Sequence, residues 1–461
     1  MKKLTWILIF TFLVLVGFCF IFFFFIPRTI IIKDSQNLPS NHLNILSLNN
    51  LDNSQKEPFY LKTFSDVRND FILENKSFLE INLPEMKVKL YQDGKLIKEN
   101  QILTIGDPQG WGGSALGLYK IISGNRLSFS VISQVYMPYA LHYYGKYYLH
   151  GEPYYPDGRK LISPVSGGCI RLNDKVAEDI YELTEIDMPV LVIGKEKDSY
   201  QLSNKNLSEL PEISAKSYLA ADLGSGFVFT EKNSQEQLPI ASLTKLMTAT
   251  IIAENIDLRK SILVEPEMLE AYGSTEGLDP GKRFRVVELF YPLLTESSND
   301  TAEVLSHFLG RARTIEMMNE KAEAILMNET EFVDSHGLDS KNISTTQDLF
   351  QLARYILIAR PPLLEITKGK EVLSFGEIRF DVEELRNKNI FINDLNFVGG
   401  KTGFIKASRY TALFIFKFLT EKEEIRDVAI ILLGSEDVKT DTQKIYKWLQ
   451  ENYSLSSAFE N

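Results

Sequence analysis

Apolar and polar positions change rhythm several times along the chain. Residues 4–26, LTWILIFTFLVLVGFCFIFFFFI, form an uncharged run preceded by Lys2 and Lys3 and ended by Pro27 and Arg28. A run of that length spans a hydrocarbon core as a helix, and lysines before it keep the N-terminus in the cytoplasm. No small-x-small cleavage pattern follows, so an uncleaved transmembrane anchor over residues 1–28 is expected, with an atypical cleaved signal peptide as its rival. Residues 29–76, rich in Asn, Ser and Lys, read as a stem. From Phe78 the period becomes two, and Asp93-Gly94 between alternating runs predicts a hairpin. Strand-like segments continue through GLYKIIS, RLSFSVIS and YYGKYYLHGE. One helix is expected at LNDKVAEDIYELTEI, with Asn173 as N-cap and Val176, Ile180 and Leu183 on one face. MPVLVIG closes a β-rich domain over residues 77–195.

A polar stretch, residues 196–214, reads as a linker. Residues 215–461 then mix helix and strand. YLAADLGSGFVFTEK predicts a hairpin; ASLTKLMTATIIAEN, VVELFYPLLTESSNDTAEVLSHFL and TQDLFQLARYILIA predict long helices. Strands return at FVGGKTGF, YTALFIFKF and DVAIILLG, and TDTQKIYKWLQENY predicts a closing helix. The expected fold class is multidomain: an N-terminal transmembrane helix, a β-rich domain, then an α/β domain of mixed helices and antiparallel sheet.

A chain of 461 residues is long for one core and suggests two or three domains. A net charge of −11, with no basic block beyond Met1-Lys2-Lys3, argues against a nucleic-acid partner. The 2 cysteines are Cys19, inside the apolar run, and Cys169. They cannot pair if one lies in lipid and the other outside. With 5 histidines and no Cys/His cluster, neither a metal site nor a cofactor is indicated.

Candidate chemistry lies first in PIASLTKLMT, where Ser242 and Lys245 fall on one helix face. A hydroxyl needs a base, and a lysine serves when burial and neighbouring cations lower its pKa. Ser297, Ser298 and Asn299 supply S-x-N, and Lys401, Thr402 and Gly403 supply K-T-G. Singly these triplets are weak; in this order they match the serine acyl-transfer enzymes that react with penicillin. From Ser217 onward, ASLTKLMTA, GLDPGKRFRVVELFYPLLTESSNDTAE, FVDSHGLDSKNISTTQDL and GGKTGF resemble the D-alanyl-D-alanine carboxypeptidases among penicillin-binding proteins. The resemblance implies Ser242 as nucleophile, Lys245 as its base and Ser297 as proton relay. It also implies that Asn299 binds the peptide, that Lys401 and Thr402 hold the terminal carboxylate, and that the N–H groups of Ser242 and of the residue after Gly403 form an oxyanion hole. Ile405 and Ser408 depart from the family's KTG-x-T and Ala-Gly, and Lys439 stands where an arginine is usual. A serine β-lactamase is the rival enzyme, but NETEFVD lacks its E-x-x-L-N setting. His336 and His307 are expected to have structural roles.

Cys169 follows His150 at a spacing that brings thiol and imidazole together if His150 ends a strand. LHGEPYYPDGRKLISPVSGGCIRL resembles the active-site segment of YkuD-type L,D-transpeptidases, and the resemblance covers Phe78 to Lys195. It implies Cys169 as nucleophile, His150 as base and the Gly151 carbonyl as orienter of the imidazole. Gly168 and Cys169 N–H groups would form the oxyanion hole, with Ser166 and Arg171 binding substrate or bracing the loop. Gly167 stands where that family has a second histidine; His142 is a conceivable substitute, but a structural or surface role is expected for it.

Together the resemblances imply a bifunctional peptidoglycan enzyme. One site trims a pentapeptide stem to a tetrapeptide, and the other cross-links tetrapeptides. The expected partners are stem peptides, the cytoplasmic membrane through the N-terminal helix, and β-lactams as inhibitors, with both sites on the extracytoplasmic face. The alternative is a peptidoglycan-binding scaffold with one or both sites inactive.

Overall fold

The computed structural model describes residues 60–196 and 208–458, apart from 274, 276, 373–377, 379, 381, 383, 421 and 454. Asp93 and Gly94 both take positive φ, 49° and 72°. That is the turn whose twist matches a tight hairpin, and it joins Lys87–Gln92 to Lys95–Gln101. The hairpin continues into Phe78–Asn82, then Pro189–Ile193, then Gly117–Lys120, giving a five-stranded sheet. Phe78–Asn82 is buried at every position and pairs parallel with Pro189–Ile193. A second sheet of four strands runs Ser123–Ser130, Val135–Tyr144, Tyr147–His150, Ile170–Arg171. Its last two strands are parallel, with Leu149 opposite Ile170 and His150 opposite Arg171. That register sets Cys169, one residue before Ile170, at the level of Tyr148, with His150 two residues further along the neighbouring strand. The Asn173 side chain accepts the Lys175 N–H and starts the helix Asp174–Leu183. Residues 60–76, assigned to the stem by composition, hold a helix, Phe64–Leu73. Its Val67 and Phe71 pack on Phe78, Tyr91 and Leu191.

In the second half, the antiparallel order is Val228–Lys232, Ser217–Asp222, Ile425–Ser435, Arg409–Leu419, Phe397–Ile405. Alternate residues face different cores, as a period of two requires. Leu219, Leu413 and Ile431 join the helix Thr346–Ala359, whereas Ala220, Phe414 and Ile430 join Ile445 and Leu449 of Val438–Asn452. The chain does not end on that helix: Ser456–Ser457 returns to pair with Arg409–Leu419. Residues 208–214, within the expected linker, lie on the same helix, with Trp448 Nε1 donating to Ser208 O at 2.9 Å and Ser214 Oγ to Asp441 Oδ2 at 2.7 Å. The helix Thr244–Asn255 is buried from Thr244 through Glu254, so it is an interior helix rather than an amphipathic one. The helical pattern of 286–309 divides into Val286–Tyr291, a π turn Pro292–Glu296 and Asn299–Leu309. Ser297 stands between them in the left-handed region, φ 62°, and the Ser298 side chain caps the new helix by accepting the Thr301 N–H.

The expected fold class is corrected at its first member. Residues 1–28, read as a transmembrane helix, lie outside the described residues, and among the described residues no helix is long and apolar enough to cross a membrane. The last helix, Val438–Asn452, has 15 residues. It rises about 22 Å, short of the ~30 Å hydrocarbon core. The β-rich half and the α/β half remain.

Residues 56–461 form one unit, and the two halves meet across buried charge. Glu254 is fully buried, 3.0 Å from Lys321 Nζ and 3.0 Å from Arg360 Nη2, and accepts the Tyr355 hydroxyl. The same cations reach into the β-rich half. Lys321 donates to Tyr119 Oη at 2.7 Å; Arg360 donates to Tyr147 Oη and to Gly113 O, both at 2.7 Å. A Cβ on Gly113 would sit 2.6 Å from Ala359 O, so a glycine is required for this approach.

Candidate active sites

Ser242 lies in the 3₁₀ turn Ala241–Leu243 that opens the interior helix. Two glycines hold this turn tightly. A Cβ on Gly337, at φ 85°, would meet Ala241 O at 1.9 Å, and one on Gly403 would meet the Ser242 nitrogen at 2.7 Å. The K-T-G glycine therefore lets the strand Phe397–Ile405 pass against the nucleophile's backbone. Lys245 Nζ has three neighbours: Ser242 Oγ at 3.0 Å, Asn299 Oδ1 at 2.7 Å and His336 O at 2.6 Å. Burial, with Lys401 and Lys388 nearby, pulls its pKa well below the ordinary lysine value. A neutral amine has two hydrogens and one lone pair. Asn299 Oδ1 and His336 O can only accept, so in the neutral form of Lys245 they take both hydrogens and the lone pair faces the Ser242 hydroxyl.

Asn299 is committed at both ends, since its Nδ2 donates to Tyr272 O at 2.6 Å. Ser297 Oγ is buried without a hydrogen-bond partner among the described residues. Lys401 is fully buried, donates to Thr402 O at 2.8 Å, and is lowered to about 7, first by burial and then by Lys388. Thr402 Oγ1 donates to Lys388 O at 3.3 Å. Lys439 lies exposed in the first turn of Val438–Asn452, and Ser408 closes the turn after Ile405 by donating to Arg409 O. His336 Nδ1 accepts the Leu338 N–H at 3.1 Å, which leaves Nε2–H for Glu303 at 3.2 Å.

In the first half, Cys169 is partly exposed in a cavity of about 230 Å³ that also holds His150, Ser166, Gly167 and Arg171. Burial pushes the thiol pKa up against the pull of Tyr148 N–H, Arg171 and Lys146, and the thiol donates to Lys146 O at 3.7 Å. His150 is lowered to about 4 by burial, so it is neutral at working pH. Its Nδ1 lies 2.6 Å from Gly151 O, an acceptor, so the proton is on Nδ1 and Nε2 is left as a base. Ser166 Oγ donates to Cys169 O at 2.6 Å and accepts the Gly168 N–H at 3.0 Å. Ser166 thus braces the cysteine loop, and the Gly168 N–H is already engaged rather than free for an oxyanion. Gly168, at φ 116°, has no room for a Cβ, which would lie 2.2 Å from the Tyr147 ring; Gly167 has nothing within 4 Å. His142 Nε2 donates to Gly145 O at 2.8 Å, and the ring stacks on Tyr148.

Sequence reasoning missed Lys388, whose charge bears on both site lysines, and Lys146, which joins the two halves. Lys146 Nζ donates to Ala253 O at 3.2 Å and Ile256 O at 3.4 Å, at the C-terminal end of the helix that begins beside Ser242. No local signal marks either residue, because each matters only through a neighbour distant in sequence.

A serine hydrogen-bonded to a buried lysine beside a K-T-G strand lies in the second half, and a cysteine sharing a cavity with a neutral histidine lies in the first. The chain belongs to the D-alanyl-D-alanine carboxypeptidase family, whose model matches residues 204–434, and it carries an L,D-transpeptidase catalytic domain of the YkuD family over residues 76–192. Similar proteins include the D-alanyl-D-alanine carboxypeptidase DacD of Escherichia coli, 26% identical over 53% of this chain and 65% of the relative. DacC of the same organism is 28% identical over 52% of this chain and 62% of the relative. The chain thus spans less than two thirds of either. The D-alanyl-D-alanine endopeptidase of Haemophilus influenzae is 35% identical over 44% of this chain and 70% of the relative. Among solved structures, a D-alanyl-D-alanine carboxypeptidase from Mycobacterium tuberculosis has a TM-score of 0.48 at 23% identity, covering 56% of this chain and 98% of that one.

Proposed function

We propose that the chain is a two-step peptidoglycan enzyme. Ser242 removes the terminal D-alanine from pentapeptide stems, and Cys169 uses the tetrapeptide to form a new amide cross-link. The observation that carries the first step is the hydrogen-bond set of Lys245, which leaves a lone pair for the Ser242 proton. Ser242 Oγ attacks the carbonyl before the last residue. The peptide C–N bond breaks, and the leaving amine takes the proton held by Lys245, with Ser297 Oγ free to relay it. Water then hydrolyses the ester. Lys401 and Thr402 hold the substrate carboxylate. At the second site, His150 Nε2 takes the Cys169 proton as sulfur attacks the carbonyl before the terminal D-alanine of a tetrapeptide. Both steps belong where peptidoglycan lies, outside the cytoplasm, and penicillins and carbapenems are the expected acylating inhibitors.

The similarity to an endopeptidase and Lys439, in place of an arginine, at the start of the last helix favour a second reading of the serine site: cleavage of existing D-alanyl cross-links. One experiment separates these readings. The chain is incubated with pentapeptide monomers or cross-linked dimers, and D-alanine release, dimer loss and dimer gain are followed by mass spectrometry, with Ser242→Ala and Cys169→Ala controls. Ser242-dependent tetrapeptide followed by Cys169-dependent dimers supports the two-step enzyme. Ser242-dependent dimer loss supports the endopeptidase, and no turnover with either substrate leaves the scaffold.

A further inference from the structure

The cavity at Cys169 is not built by one half of the chain. Beside Cys169, His150 and Arg171 its wall includes Asp257, Leu258 and Arg259, which follow directly on the interior helix that Ser242 opens. Their placement is rigid. Lys146 holds the last carbonyls of that helix, and Gly145, at φ 46°, lies so close that a Cβ would be 2.4 Å from Asn255 Oδ1. Asp257 accepts the Arg259 backbone N–H at 3.1 Å and binds its guanidinium through both oxygens, at 2.8 and 2.7 Å. The Arg259 side chain is 55% exposed, so it retains donors for a ligand.

We infer that the Cys169 site is a composite of both halves, and that Asp257 and Arg259 select an acyl acceptor carrying an amine beside a carboxylate. A fixed carboxylate next to a fixed guanidinium is the complement of such a zwitterion. The donor's terminal carboxylate departs with its leaving group before the second substrate arrives, so a charge pair in the wall of the acylated site serves the acceptor. Asp257 receives the ammonium and Arg259 the carboxylate. The ammonium gives one proton to water, and the neutral amine attacks the thioester carbonyl. The C–N bond forms, the surplus proton on nitrogen passes to His150 Nε2, the C–S bond breaks, and the departing thiolate takes that proton from His150.

This inference rests on the proposed transpeptidase reading, and its test keeps the two apart. The full chain, with a tetrapeptide muropeptide as donor, is offered D-phenylalanine or 2-phenylethylamine, which differ by the carboxylate alone. Acylation of Cys169 without acceptor is measured in parallel by intact mass. Wild type is expected to prefer D-phenylalanine, and Arg259→Gln to lose about tenfold of that preference, the size of a charge-assisted hydrogen bond, with the acyl adduct still formed. Asp257→Asn is expected to slow both acceptors. An unchanged preference in R259Q overturns the inference, and so does a parallel loss of acylation and acceptor use, which marks the wall as structural only. Wild type that never acylates at Cys169 overturns the transpeptidase reading, and this inference with it.

Discussion

Lys245 and Lys401 are both buried in one site and both depressed, yet they do opposite work. Lys245 acts by being neutral, whereas Lys401 attracts a carboxylate only while charged. As pH rises through about 7, the free enzyme loses the Lys401 charge. The rate constant for penicillin acylation of Ser242 is therefore expected to fall between pH 6 and 9, because kcat/KM-type constants report the free enzyme. Stability moves the other way. Between about 7 and the ordinary lysine value of 10.5, the unfolded chain binds a proton that folded Lys401 does not. The Lys401 contribution is thus least favourable below pH 7 and improves as pH rises through that window. Denaturant titrations at pH 7 and 9 should show a smaller gain with pH in Lys401→Met than in wild type. Cys169 makes a third case. Its thiol is held above the ordinary value by burial and its histidine is neutral, so no thiolate–imidazolium pair forms at rest. Iodoacetamide is expected to alkylate Cys169 more slowly at pH 7.5 than it does free cysteine, with the rate climbing through the alkaline range.

At the scale of elements, the break at Ser297 shows where local pattern and site geometry part. A serine in the left-handed region carries a backbone cost of about 1 kcal/mol that glycine avoids. Ser297→Gly is expected to raise stability by about that amount in urea titration and to slow D-alanine release, whereas Ser297→Ala should give the slowing without the gain. The sequence marks this break only by Pro292 and the polar run 295–301, which do not say where one helix stops and the next begins. Elsewhere the pattern sufficed: Asp93-Gly94 and Asn173 act through their own neighbours, so their turn and cap were legible. The motifs around Ser242 and Cys169 were legible for the same reason. Gly167 was legible as a departure but not as a consequence. With nothing near it and no positive φ, Gly167→His is expected to fold with a stability change within about 0.5 kcal/mol, read by the same titration.

For the whole molecule, the charges that bind the halves were invisible in advance, because Glu254, Lys321 and Arg360 meet only through contacts distant in sequence. Buried together, they are costly to disturb. Glu254→Ala leaves two cations in an apolar interior and is expected to destabilise by about 3–5 kcal/mol. Calorimetry should show one transition in wild type, shifted downward in the variant, with loss of reaction at both nucleophiles. Neither half presents a face that water can cover cheaply if its neighbour is removed. That buried join also fixes dosage. Every serine site is made and degraded with one cysteine site, so gene expression cannot set the ratio of the two. A cell holding this chain can alter that balance only by inhibiting one nucleophile and sparing the other.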